Sequence, residues 1–260
     1  MKAYEVRKQA REALKGKWEK AVLITLAYVG LILMFSFIAG KFEENSLVYN
    51  IIEIVTAILQ VPLSFGIGYS FIKLKRNEKV KIFDFGNLGF SNFGRAWKIV
   101  LRATLKMILP FIGMIIGILL LIAISVMITV NSIVGGASVT SFVGVSVLGL
   151  IIFFASYVWM LILSLNYSLT TYIAYDNPNM SSLAVVNESK RMMSGNKWKI
   201  FVLGVSFIGW YLLIFITFGI GYLWLMPYIQ VASICFYENL LGKNENNISD
   251  NNNNDAIVEM

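Results

Sequence analysis

Histidine is absent from the 260-residue chain, and Cys235 is its single cysteine. The sequence therefore excludes a Cys/His zinc site, a Ser-His-Asp triad, a Cys-His dyad and an intramolecular disulfide. Cys235 lies within an apolar run, which favours a small buried side chain over a reactive thiol. Because no other residues form a catalytic pair, a metal cluster or a phosphate-binding glycine loop, we predict that the chain is not an enzyme and binds no cofactor.

Charged residues are also scarce. They make up 14% of the chain, against roughly 25% in soluble domains, while 57% of the residues are hydrophobic. Several apolar runs exceed the ~20 residues that a helix needs to cross a hydrocarbon layer of about 30 Å. The first run is too long for a cleaved signal peptide and lacks an Ala-x-Ala exit, so we interpret it as a permanent span.

The apolar runs predict an all-α, polytopic membrane protein with six transmembrane helices in three hairpins, plus cytoplasmic interfacial amphipathic helices. Residues 1–20 form the first of these interfacial helices, residues 21–242 form the six-span membrane domain, and the Asn-rich segment 243–260 is a disordered cytoplasmic tail. The predicted spans cover approximately residues 21–39, 47–72, 99–130, 142–173, 200–217 and a last run that ends near Leu240.

The amino-terminal helix has a narrow apolar stripe. Val6, Ala10, Leu14 and Trp18 recur every four residues, and basic residues occupy the other faces. This pattern is typical of a helix that lies on a membrane and contacts anionic headgroups. The alternative is a solvated helix that packs on the protein's own cytoplasmic loops.

The distribution of Lys and Arg predicts the orientation. Residues 1–20 carry seven, residues 73–98 carry seven and residues 175–199 carry four, whereas the intervening turns on the opposite side together carry only Lys41. The positive-inside rule then predicts a cell-membrane protein whose termini and two long loops lie in the cytoplasm. Because the basic residues flank the apolar runs, the net charge of +7 favours lipid headgroups over nucleic acid as the partner.

A Gly-to-Trp motif with a neighbouring basic residue precedes three of the outgoing spans, beginning at Gly16, Gly94 and Gly195. Glycine can end a surface segment, Trp anchors at the interface and Lys reaches headgroups. The predicted interfacial anchors are therefore Trp18, Trp97, Trp198 and Lys199. We interpret the three copies as parallel repeats, each of which introduces one hairpin.

Five polar residues within the predicted spans are candidates for a functional site. Glu53 and Gln60 share one face of span two, which suits an ion or substrate path unless Glu53 simply reaches outer water. Arg102 and Lys106 near the start of span three either bind an anion or extend to the inner headgroups. Asn166, in the polar end of span four, either lines a hydrophilic groove or joins helices by hydrogen bonds.

Several segments carry a family resemblance: residues 172–178 (Tyr-Ile-Ala-Tyr-Asp-Asn-Pro), residues 189–199 (Ser-Lys-Arg-Met-Met-Ser-Gly-Asn-Lys-Trp-Lys), Phe207-Ile208-Gly209-Trp210, Gly219-Ile220-Gly221, Pro227-Tyr228 and Phe236-Tyr237-Glu238. Together with Leu14-Lys15-Gly16-Lys17-Trp18, the pattern resembles the domain-of-unknown-function 975 family of bacterial integral membrane proteins. The resemblance covers nearly the whole chain except the Asn-rich tail. It implies a bacterial cell-membrane protein and no catalytic activity.

Two functions fit these expectations. The first is a non-enzymatic scaffold, or a partner of another envelope system, that acts through its basic cytoplasmic surface. The alternative is a small transporter or permease subunit that uses the polar faces of spans two to four. The expected partners are the anionic bilayer and a membrane protein or a second copy of the chain. A closed hydrophobic bundle would favour the scaffold, and a water-accessible cavity that reaches Gln60 or Lys106 would favour the transporter.

Overall fold

The structure is a computed structural model that describes residues 2–44, 46–134 and 140–258. All of its regular elements are helices, and the described residues include no strand, so the all-α fold class is confirmed. In chain order the helices are α1 (Ala3–Leu14), α2 (Trp18–Ala39), α3 (Leu47–Lys75), α4 (Asp84–Phe90), α5 (Phe93–Leu105), α6 (Ile108–Val134), α7 (Thr140–Asn166), α8 (Thr170–Asp176), α9 (Ser182–Met193), α10 (Lys197–Val205), α11 (Ile208–Ile216) and α12 (Tyr222–Val258).

Five helical segments are long and apolar enough to cross a membrane: Trp18–Ala39, Leu47–Lys75, Ile108–Val130, Val145–Asp176 and Lys197–Ile216. The sixth predicted span lies in α12 and is not among the five found in the described residues. Pro227, Gln230 and Glu238 lower the hydropathy of that helix. The predicted turn over residues 131–141 lies partly outside the described residues, because 135–139 are among those not described.

The chain divides into two compact units. The first comprises residues 1–100 and 169–260, and the second comprises residues 101–168. In the second unit α6 and α7 pack against each other. Their backbones approach closely at Gly117, where a Cβ atom would lie 2.8 Å from the amide nitrogen of Phe153. This close approach of small residues is typical of packed membrane helices.

Burial in α2 and α3 is concentrated in one half of each helix. Apart from Ala39 at its end, the buried residues of α2 lie in its first half, up to Tyr28, and those of α3 lie in its second half, from Pro62 to Leu74. The remaining parts of these two helices expose large apolar side chains, such as Phe37 and Leu47. Exposed apolar surface of this extent is what a hydrocarbon layer would cover.

Helix α1 is buried differently from the prediction. Val6, Ala10 and Leu14 are almost completely buried, and α1 packs against α10 and α12. The apolar stripe predicted to face lipid therefore contacts protein. The period of a stripe shows that one face is covered but does not identify what covers it. The prediction of a lipid-facing stripe is wrong for these three residues, and the alternative of packing within the protein is favoured.

The turn between two helices at Gly16 recurs at Gly195 with nearly the same backbone dihedral angles. Gly16 has φ +77° and Gly195 has φ +74°, values that side chains other than glycine rarely adopt. The residues before them, Lys15 and Ser194, have φ/ψ of −58°/124° and −61°/126°. Two of the three predicted repeats thus share a turn. The third does not, because Gly94 lies inside the continuous helix α5.

The helix α12 extends to Val258, within the tail for which the sequence predicts disorder. Residues 259 and 260 lie outside the described residues. The predicted division at residues 20 and 242 is not tested by the two compact units, and both it and the disordered tail stay predictions.

Candidate functional site

An ionic cluster in the first unit joins the ends of α3 and α8 to the middle of α12; it comprises Lys75, Arg76, Asp176 and Glu238. Arg76 donates from Nη1 and Nη2 to the two carboxylate oxygens of Asp176, at 2.5 and 2.9 Å. Its Nε donates to Glu238 Oε1 at 3.2 Å, and Lys75 forms an ion pair with the other oxygen of Glu238. The cluster therefore joins the end of α3 to the last residue of α8 and to α12.

The local sequence explains why Arg76 occupies this position. Arg76 is the C-cap of α3, and Asn77 follows in a left-handed conformation with φ +61°, which turns the chain away. On the other side, Asp176 precedes Asn177-Pro178, and proline disfavours continued helix just before it. Two helix ends thus present opposite charges to each other.

The geometry of the Arg76–Asp176 pair is the strong, two-bond form of an ion pair. The side chains retain only 30% and 21% of their exposure, so water screens them less than it screens a surface pair. The hydrogen bond to Asp176 raises the pKa of the Arg76 guanidinium above its usual range. The Arg76 guanidinium therefore stays charged at all physiological pH values.

Aromatic rings surround the cluster. The hydroxyl of Tyr175 donates to Glu78 at 3.1 Å, and the Arg76 guanidinium lies 5.8 Å from the centre of the Tyr175 ring. Tyr69 packs against Tyr175, and Tyr172 packs against Tyr237, with ring centres 5.1 and 5.8 Å apart. These contacts shield the ion pairs and add cation–π attraction.

Two further basic side chains bind backbone carbonyls at the ends of α3 and α8 and in the loop after α8. Arg95 donates to the carbonyl oxygens of Ala174, Asn177 and Met180, at 2.8, 2.5 and 3.0 Å. Lys17 donates to the carbonyl of Leu74 at 3.0 Å, at the end of α3. Cations in these positions donate hydrogen bonds to carbonyls that have no partner within the helix. They are also attracted to the negative end of the helix dipole. Part of the predicted basic surface therefore makes hydrogen bonds within the protein.

Glu53 and Gln60 lie on the exposed half of α3. No hydrogen bond or ion pair joins either side chain to another group within the part of the chain that the structure describes. Thr56 and Ser64, which the helical period places on the same face as Glu53 and Gln60, donate to carbonyls of their own helix, those of Ile52 and Val61. This face therefore has no polar partner among the described residues of the first unit.

Arg102 and Lys106 belong to the second unit together with Asn166. Lys106 is exposed, and its ammonium lies 5.8 Å from the centre of the Tyr167 ring, next to the buried Asn166. Arg102 is half-buried in α5. The structure thus brings Lys106 towards the polar end of α7.

The four predicted anchors behave differently from one another. Trp18 packs against the ring of Tyr228, and the Trp97 indole donates to the carbonyl of Ile58 at 3.2 Å, so both contact protein. Trp198 is 71% exposed and stacks on Phe201. Lys199 donates to Asn196 at 2.6 Å. Trp198 is therefore the predicted anchor with the most surface available to lipid.

The described part of the protein includes a cavity of about 340 Å³ in the first unit and one of about 240 Å³ in the second. Both are lined almost entirely by apolar atoms. Neither lining includes Gln60 or Lys106. Within the same residues, no group of three or more His, Cys, Asp or Glu side chains is placed to hold a metal ion.

Sequence reasoning did not find the ionic cluster. Arg76 was one of seven basic residues in its segment, and Asp176 and Glu238 appeared only within the family resemblance. A usable signal was present, because acidic residues are few and these two directly follow long apolar runs. A carboxylate at such a position needs either water or a cationic partner.

The comparison with known protein families gives one match. The family model described as "Protein of unknown function (DUF975)" matches residues 1–244. The matched region contains the ionic cluster and all five candidate spans. No curated protein and no solved structure matches the chain.

Proposed function

We propose that this chain, which belongs to the DUF975 family, is a non-enzymatic scaffold of the bacterial cell membrane that holds an envelope partner at its cytoplasmic side. The observation that supports this most is the ionic cluster, which joins the ends of α3 and α8 to each other and to α12. The asymmetry of Lys and Arg supports the orientation with both termini in the cytoplasm and a sixth span formed by α12.

A locked core suits a scaffold better than a transporter. Transporters alternate between two packings of their helices around a central site. Here Arg76 binds carboxylates from two other helices, and Arg95 binds three carbonyls around the end of α8. The Arg76–Asp176 bonds would have to break for α3 and α8 to slide past each other, and the Arg95 bonds for α5 and α8 to do so. Among the described residues of this unit, no other polar group joins Glu53 and Gln60 in a central site.

The basic residues that make no bond within the protein core form the surface that a partner would contact. Lys79 and Lys81 are exposed in the turn after the ionic cluster. Lys15 is exposed in the turn that places Lys17 against the end of α3. Since these cations are not used within the core, the partner they suit is an acidic protein surface.

Photocrosslinking in living cells tests this function. A photoreactive residue in place of Lys79 should give a discrete protein adduct, and the same residue in place of Glu44, on the predicted opposite side, should not. The charge reversal Lys81→Glu should lower the adduct by about tenfold, since like charges at a contact disfavour binding by more than 1 kcal/mol. Lys41→Glu, on the predicted outer side, is the control and should leave it unchanged. A Lys79 probe that reacts only with lipid would contradict the proposal.

A small transporter or permease subunit is the second candidate. The observation that favours it is the position of Lys106 beside the ring of Tyr167, which follows the buried Asn166 in sequence, because a cation at the polar end of a span can bind an anionic substrate. A transporter requires water to reach the polar residues of the spans. A scaffold does not require this.

A further inference from the structure

The cavity of about 340 Å³ in the first unit is a cleft with aromatic walls, and we refer to it as the aromatic cleft. Its walls are Trp18, Trp210 and Trp224, from α2, α11 and α12, together with Tyr228. Leu213 and Ile220 continue the lining towards the α11–α12 turn. The volume is within the ~300–1,000 Å³ range of ligand sites, and the wall chemistry suits a hydrocarbon chain.

One end of the aromatic cleft is basic. Arg11 lines it, and Nη1 of this residue donates to the Tyr228 hydroxyl at 3.4 Å. That hydroxyl donates to the carbonyl of Arg7 at 3.3 Å. Arg11 is exposed, and its other N–H groups make no hydrogen bond within the described residues. Those groups are therefore available to an anion.

The other end of the aromatic cleft offers no comparable group. The hydroxyl of Thr217 donates to the Leu213 carbonyl at 2.7 Å and accepts from the Gly221 amide at 2.8 Å. It is thus used within the α11–α12 turn. The cleft is amphiphilic, with a cation at one end and apolar surface along the rest.

The position of α1 places that cation at the edge of the apolar surface. Arg11 contacts Tyr228, whereas Gln9, on the opposite face of α1, bonds to Asn239 at 2.7 Å. These two α12 residues are separated by about 16 Å along the helix axis, so the two faces of α1 meet different parts of α12. Its Arg11 side therefore faces the α11–α12 turn, where Phe218 is 97% exposed.

We propose that the aromatic cleft binds one anionic phospholipid, with an acyl chain against the tryptophan walls and the phosphate on the Arg11 guanidinium. The fork of N–H groups on arginine matches two phosphate oxygens. Tryptophan and tyrosine rings favour the border between headgroups and chains. A lipid supplies both parts of the ligand in one molecule and surrounds the exposed α11–α12 turn in a membrane. The site is independent of the scaffold function proposed above.

Native mass spectrometry of the full-length protein in mild detergent tests this site, with phosphatidylglycerol and phosphatidylcholine of identical chains as probes. One phosphatidylglycerol should be retained in preference to phosphatidylcholine. Arg11→Gln should reduce that retention by about tenfold, because it removes a charge-assisted contact. Arg11→Lys should restore part of it. Lys8→Gln is the matched control, since it removes an equal charge from the same helix outside the cleft.

A second variant keeps the test independent of the Arg11–Tyr228 bond. Leu213→Trp should fill the aromatic cleft and reduce retention of both lipids, with Arg11 intact. Equal losses for Arg11→Gln and Lys8→Gln would overturn the proposal, because they would show attraction to surface charge alone. Displacement of the lipid by millimolar inorganic phosphate would overturn it as well, since the site would then bind a free phosphate. Unchanged retention in Leu213→Trp would also contradict it.

Discussion

Adding one methyl group at Gly66 is expected to destabilise the protein by about 3 kcal/mol or more. A Cβ atom there would overlap the carbonyl oxygen of Phe85 and would lie 2.8 Å from the amide nitrogen of Gly89. Both of these atoms belong to the backbone of α4, so no side-chain rotation can relieve the overlap. The helix α4 would have to move away from α3, and Phe85 would lose its burial. In detergent, the thermal unfolding midpoint of Gly66→Ala should fall by about 10 °C.

Gly86→Ala is the matched control for this prediction. Gly86 lies in the same helix α4, and a Cβ atom there meets nothing within 4 Å. Because alanine favours helix more than glycine does, this variant should unfold at the same or a slightly higher temperature. Gly89→Ala should behave like Gly66→Ala, since its Cβ would overlap the Pro62 carbonyl. Equal midpoints for Gly66→Ala and Gly86→Ala would refute the close packing of α3 and α4.

Removal of the Arg76 side chain is expected to cost about 2 kcal/mol of stability. Arg76→Ala leaves the carboxylates of Asp176 and Glu238 without this cation in a partly buried site. Loss of one partner of a fully buried pair costs about 3–5 kcal/mol, and partial exposure of the carboxylates reduces that cost. The unfolding midpoint in detergent should fall by about 5 °C. Arg76→Lys should recover little of it, because lysine cannot form the two parallel bonds to Asp176.

A double-mutant cycle measures the interaction energy of the Arg76–Asp176 pair separately from the other contacts of the two side chains. Arg76→Ala, Asp176→Ala and the double variant should give a coupling energy above about 1 kcal/mol. The control cycle uses Arg191 and Glu188, a pair within α9 whose arginine is 67% exposed. That pair should couple by only about 0.3–0.5 kcal/mol. Coupling at Arg76–Asp176 no larger than in the control cycle would show that the ionic cluster does not fasten the helices.

Local sequence patterns predicted the positions of the helices better than they predicted which other helices, or lipid, each helix contacts. The apolar run after Trp18 and the run after Ser46 are long enough to define α2 and α3, and both are confirmed as candidate spans. The four-residue period of α1 correctly marked a helix with one covered face. Whether lipid or protein covers that face depends on α10 and α12, which lie more than 180 residues further along the chain.

The ionic cluster could not be predicted for the same reason. Arg76 is 100 residues from Asp176 and 162 residues from Glu238. Charge alone does not pair residues at such separations, because many other pairings are equally compatible with the sequence. In contrast, the spacing of Glu53 and Gln60 correctly placed them on one helix, but it carried no information on whether that face meets protein. Periodicity is local, and the packing of one face on another is not.

The scaffold proposal is tested most directly by the access of water to Gln60. In a Cys235→Ser background, Gln60→Cys is treated with a thiol reagent that cannot cross membranes, on intact and on permeabilised cells. Glu44→Cys and Ser91→Cys mark the two sides and should be labelled in intact cells and only after permeabilisation, respectively. We expect no labelling of Gln60→Cys by this reagent from either side, because a thiol in hydrocarbon does not ionise, and full labelling once the protein has been denatured in sodium dodecyl sulfate. Labelling of Gln60→Cys by the impermeant reagent would show an aqueous path along α3 and would contradict the scaffold in favour of the transporter.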